Sequence, residues 1–155
     1  MSPRAEPYLF VVGGDVFALA REDVAGLADP AEILALPRSP ALLLGAVYWR
    51  GEFLPVVEVT ELLTGRARGE ARMLLVVHRG ARRAALAVEE VPGSGAEVEL
   101  PVRHAWATSP VGGRLDVTLE DRTVKAIWVE TGRLLDAVTR ELERLGEGAD
   151  AVQPG

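Results

Sequence analysis

Short apolar runs separated by tight polar or glycine steps recur along most of this chain. Residues 8–12 are followed by 16–20 across Gly13-Gly14-Asp15, and 46–49 by 53–57 across Arg50-Gly51. Residues 72–78 are followed by 83–88 across Arg79-Gly80-Ala81, and 114–119 by 123–129 across Asp121-Arg122. In the last unit Leu115, Val117 and Leu119 alternate with Asp116, Thr118 and Glu120, the period-two pattern of a half-buried strand. The steps between runs are too short for the helix that a parallel βαβ crossover needs, so the pattern predicts antiparallel hairpins gathered into small barrels or a sandwich.

The stretch "GAVYWRGEFLPVVEV", residues 45–59, is the most specific of these units. Gly51 supplies the positive φ that a tight turn requires. Pro55 cannot donate to a ladder, which predicts an edge or bulged strand. Arg50 is thereby placed at a hairpin tip beside an incomplete sheet edge, a feature that proteins either cover or use for binding.

Helical periodicity is rare. "VTELL" at 59–63 reads as one or two turns stopped by Gly65. In "TGRLLDAVTRELERLG", residues 131–146, Leu134, Leu135, Val138, Leu142 and Leu145 form one apolar stripe. Thr131 is placed as the N-cap, Asp136 and Arg140 as an i,i+4 pair, and Gly146 as the stop. A domain over 8–146 is expected, with fraying at 1–7 and 147–155. The proline-bearing linker 28–45 and the loop-like stretch 91–113 are expected to carry the chain from one barrel to the other and back.

Composition narrows the function. With 155 residues the chain suits one domain or two small subdomains sharing a core. A formal charge of -6 argues against sequence-independent nucleic-acid binding. Arg66, Arg68, Arg72, Arg79, Arg82 and Arg83 are read as a solvated face rather than a binding patch. Without cysteine there is no disulfide, thiol catalysis or thiolate metal site. The N-terminal residues lack a signal-peptide pattern, and the longest apolar stretch, 41–49, falls far short of the ~20 residues that span a bilayer. A cytoplasmic protein without membrane insertion is expected.

Candidate chemistry is sparse. His78 ends an apolar strand and His104 lies in a loop, neither with a metal-ligand partner at a helical spacing. Ser39, Ser94 and Ser109 sit in Pro/Gly loops without the setting of a nucleophile. The glycines at 13–14 and 112–113 do not precede a helix that could bind phosphate. Glu89 and Glu90 are adjacent in a strand and point to opposite sides. No catalytic, cofactor or metal site is expected. The informative residues are Trp49 and Arg50, types enriched where binding energy concentrates. A core Trp49 beside a solvated Arg50 fits the chemistry equally well.

The order of these features resembles CheW-like domains. The resemblance rests on "YLFVVGGDVFALAREDVAGL", on "LPRSPALLLGAVYWRGEFLPVVEVTELL" and on "MLLVVHRGARRAALAVEEVPG", spanning residues 8–93. It implies a mostly β fold of two SH3-like five-stranded β-barrel subdomains sharing a hydrophobic core, followed by the C-terminal amphipathic helix. It also implies a non-catalytic signalling adaptor that couples chemoreceptors to a CheA-type histidine kinase. Its expected partners are the kinase's regulatory domain and the cytoplasmic tip of a methyl-accepting chemoreceptor, with no cofactor and no nucleic acid.

Carried over, Arg50 matches the family's Arg-Gly signature, Val24 a hydrophobic position of the "V-x-E" segment, and Leu27 the apolar residue closing it. Gly51, Trp49 and Glu52 complete the expected partner contact. The family's usual acid is absent from Val24-Ala25-Gly26-Leu27, leaving Glu22 or Glu52, or no acid at all, beside Arg50. The alternatives are a β-barrel module for oligonucleotide or glycan, which needs exposed aromatics and a basic groove, and a small enzyme, for which no nucleophile–base pair is visible.

Overall fold

The computed structural model describes residues 3–36, 41–67, 69–101 and 109–152, with side chains described as far as 144. Its strands are β1 (Arg4–Ala5), β2 (Pro7–Val12), β3 (Asp15–Ala20), β4 (Val24–Ala28), β5 (Leu43–Trp49) and β6 (Glu52–Glu58). They continue with β7 (Met73–Arg79), β8 (Arg82–Val88), β9 (Glu90–Ser94), β10 (Val98–Glu99), β11 (Val111–Leu119) and β12 (Arg122–Val129). Two helices complete the chain, α1 (Thr60–Thr64) and α2 (Thr131–Val152).

The strands form two five-stranded sheets, in the orders β11-β12-β3-β2-β9 and β5-β6-β8-β7-β4, with β1 and β10 paired separately. The orders correspond element by element. Each sheet has an outer hairpin joined in parallel to an inner hairpin, then an antiparallel edge strand. All four predicted hairpins form. The sheets are nevertheless mixed, because β12 runs parallel to β3 and β6 parallel to β8.

Two-residue periodicity explains the core. Leu74 and Val76 of β7 point into a cluster private to the second sheet, with Val47, Leu54, Val56, Ala85 and Ala87. Leu75 and Val77 point the other way, into a core shared with Phe10, Phe17 and Leu19 of the first sheet and Leu134, Leu135 and Val138 of α2. A third cluster, including Leu9, Val117, Ala126 and Trp128, is private to the first sheet. The inner strands are therefore apolar on both faces and read as continuous runs rather than alternating ones.

Several expectations are corrected. The chain leaves the first sheet at a 3-10 turn, Arg21–Asp23, and returns directly from β8 into β9 at Glu89. Segment 28–45 instead connects β4 and β5, the two edge strands of one sheet. Segment 91–113 begins inside β9, after the return. Pro55 is on β6, an interior strand, and is tolerated there because the pairing with β8 begins one residue later, at Val56. The edge is β5, which carries the register shift between Leu43 and Gly45.

Secondary structure extends into both terminal segments among the described residues. Arg4–Ala5 pairs with Val98–Glu99, and α2 runs through Gly146 to Val152. A helix-interior glycine costs about 1 kcal/mol but stops a helix only where the chain turns left-handed. Gly65 does so at the end of α1, with φ 73°. At the start of α2, Leu134 N–H donates to Glu130 O at 2.9 Å, so the helix is entered one residue before Thr131, whose buried hydroxyl is without a partner among the described residues. Asp136 pairs with Arg82 across the fold rather than with Arg140.

Candidate partner-binding site

The β5–β6 hairpin is closed by Trp49 opposite Glu52, leaving Arg50 and Gly51 as a two-residue turn with φ of 46° and 89°. Positive φ at both central positions defines the turn whose twist matches a hairpin. Arg50 accepts this left-handed geometry with a side chain, and its guanidinium lies 4.3 Å from the Trp49 ring centroid. Such stacking is worth about 0.5–1 kcal/mol at exposed sites and holds a long side chain in one place.

Trp49 itself is half-buried. It belongs to the second sheet's private cluster and lies against Gly26 of β4, where an added Cβ would come within 2.7 Å of Cζ2. Through this ring β5 touches β4, the other edge strand of the sheet. Gly26 is needed to let that ring approach, a signal available in the sequence as a glycine inside a strand.

The acid question resolves. Glu52 accepts from Arg83 at 3.0 Å, and Asp23, buried beside the turn into β4, faces Arg79 at 3.3 Å. Among the described residues no carboxylate is paired with Arg50. Its charge is exposed and held by a ring alone.

The expected contact residues do not all converge. Trp49, Arg50, Gly51 and Glu52 share the hairpin tip. Val24 packs on the shared core. Leu27, 40% exposed, follows Gly26 on the opposite face of β4 and lines an open groove of about 400 Å³ with Pro30, Arg72 and Met73. Sequence reasoning missed the outer side of the hairpin as a surface, where Tyr48 and Phe53 are 57% and 64% exposed with ring centroids 5.0 Å apart.

Other candidates take structural roles. Ser94 accepts from Arg21 and Ser109 from the Val111 amide. Glu89 accepts from the Gly13 amide, tying the return crossing to the β2–β3 turn. His78 pairs across the hairpin with Arg83. His104, Ser39 and Arg68 lie outside the described residues. Among the described residues no three metal-ligating side chains gather, and no helix is long and apolar enough to cross a membrane. Arg66, Arg72, Arg79, Arg82 and Arg83 each face a carboxylate, so they form no open basic groove.

The described residues thus form two five-stranded sheets with an exposed hairpin tip. The CheW-like domain family model matches residues 8–114, more than half of the chain, and the chain belongs to that family of chemotaxis scaffolds and adaptors. Among solved structures it is similar to the scaffolding protein TtCheW from Thermoanaerobacter tengcongensis, at a TM-score of 0.60 and 18% identity over 84% of this chain and 90% of that one. No curated protein sequence matches it.

Proposed function

We propose that this chain is a non-catalytic adaptor that couples chemoreceptors to a CheA-type histidine kinase, with the β5–β6 tip as one of its contacts. The observation that carries the reading is Arg50: a cation without a carboxylate, stacked on Trp49 at the end of a two-residue turn. The turn and ring restrict the side chain before any partner arrives, and preorganisation lowers the entropy lost on binding. Gly51 keeps the turn in shape, Glu52 and Arg83 border it, and Leu27 offers an apolar contact on the other side of β4. Val24 supports the surface from beneath.

The test is calorimetric titration of the full chain with two probes separately, a kinase regulatory domain and a receptor-tip fragment. Binding of both is expected, with Arg50→Ala weakening at least one about tenfold or more while the melting temperature stays put. Failure of the wild-type chain to bind either probe overturns the adaptor reading.

A further inference from the structure

The outer edge of β5 is occupied by the chain itself. Leu34 and Ala46 exchange both backbone hydrogen bonds, at 2.8 and 3.0 Å, as a single step of antiparallel strand. Ala46 stands opposite Pro55, which has no N–H, so its own N–H and C=O are turned away from β6 and the bridge takes no bond from the hairpin. Tyr48, two residues on, turns its N–H and C=O the same way, and they have no backbone partner among the described residues.

The bridge stops at one residue because the chain before Leu34 folds back on itself. Ile33 N–H donates to Pro30 O at 3.1 Å, Glu32 N–H donates to Asp29 O at 3.0 Å, and the Asp29 carboxylate accepts from the Ala31 amide at 2.9 Å. This 3-10 turn, Pro30–Glu32, draws Glu32 away from the position opposite Tyr48. Gly45 makes room for the segment, since an added Cβ would stand 2.2 Å from Leu34 O. Leu34 is 56% exposed, while Ile33 packs on the second sheet's private cluster. The bridge therefore rests on two backbone bonds and on Ile33, not on the Leu34 side chain.

Unpaired groups on a strand edge are a template for a further strand. We propose that Pro30–Leu34 is a strap that covers the β5 edge in the free chain and gives way to an extended apolar segment of a partner protein, which pairs antiparallel with Ala46 and Tyr48 in its place. The strap itself shows what the occupant is: extended backbone with one apolar side chain inward, where Ile33 lies, and another outward, where Leu34 lies. A second copy is disfavoured by the seam. β4 stands across from β5 at the Trp49 ring, so the space beside β5 takes a single strand, whereas the β5 edge of another copy brings β6 with it. The strap has the advantage of being tethered, and the incoming segment gains the extra bonds at Tyr48.

The probe is a peptide of residues 30–36, PAEILAL, blocked at both ends. It is titrated into wild type and into Leu34→Pro, which removes the donor to Ala46 O. Ile33, extended at φ −67° and ψ 126°, already has the backbone that precedes a proline, so the variant is expected to fold. Leu34→Pro is expected to bind the peptide about tenfold or more tighter than wild type, whose strap competes, and not to bind the same peptide carrying Leu34→Pro. No binding, equal affinity for wild type and variant, or equal affinity for both peptides would overturn the proposal. A Leu34→Pro dimer in sedimentation would make the occupant a second copy and overturn it as well. Amide exchange of the wild-type chain decides even if the variant fails to fold. The Ala46 N–H is expected to exchange about tenfold or more faster than that of Val47, which bonds within the hairpin, and equal rates would show a strap that does not open. None of these readouts uses a kinase or receptor probe, so their failure leaves the adaptor reading in place.

Discussion

The two sheets share a strand plan but close their seams differently. In the first, the loop after β9 reaches β11 through the backbone: Ala96 N–H donates to Thr118 O at 2.9 Å, and Gly95 lies so near that an added Cβ would stand 2.3 Å from Val117 Cγ1. In the second, the corresponding approach of β4 and β5 is made by the Trp49 ring on Gly26. The backbone contact leaves the β11–β12 tip to the exposed charges of Glu120, Asp121 and Arg122. A side-chain closure ties the tip to the sheet through one residue, which then carries Arg50 on its ring. The first seam is joined by the main chain, and the second by the ring that also holds Arg50 at the proposed contact.

The largest expected effect comes from forcing the first seam. Gly95→Val drives a side chain into buried Val117 and the Thr118 carbonyl, and overpacking of that kind costs about 2–3 kcal/mol, read as a lowered urea midpoint. Trp49→Ala removes a half-buried ring from the second seam and is expected to cost about 2 kcal/mol, less than the usual loss for a fully buried one, together with the Arg50 contact to partners. Gly26→Ala presses on the far edge of that ring, which can slide outward, so about 1 kcal/mol is expected. A cost above that of Gly95→Val would reverse the ranking of the seams.

Arg50→Ala should change stability by no more than ~1 kcal/mol, because only an exposed cation–π contact is lost. The smallest effect concerns α2, where the hydrogen bond from Arg144 holds the Glu141 carboxyl below its ordinary pKa. A folded-state value below the unfolded one gives a contribution that is present above the unfolded pKa and fades as pH falls through the folded one. Carboxyl NMR titration should place the Glu141 midpoint below that of a free glutamate, and Arg144→Ala should restore it. With both groups at the surface, thermal unfolding is expected to be insensitive to the change.

Much of this was legible along the chain. Hairpins are local: two apolar runs and a glycine-bearing step specify a turn and its register within a dozen residues, and α1 with its Gly65 stop is equally local. The helix stripe through Leu134, Leu135 and Val138 did locate the face that enters the core. Crossings were misplaced because proline content marks irregular backbone, and irregular backbone serves as well to link two edges of one sheet. The Asp136–Arg140 pair was misread because a helix-surface pairing of a few tenths of a kcal/mol yields readily to a cross-fold arginine.

Alternation of apolar and polar residues decides by itself which strands exist and which side chains share a face, because the pleat imposes a period of two. It therefore separates Tyr48 from Trp49 before any coordinates are seen. Which face meets a core and which meets water depends on what the rest of the chain lays against it, and that was settled only by the fold. Trp49 found Gly26, Arg83 drew Glu52 away from Arg50, and the ring pair Tyr48–Phe53 was left uncovered. Each of these contacts joins residues distant in the chain, and no local pattern encodes which distant residue will arrive.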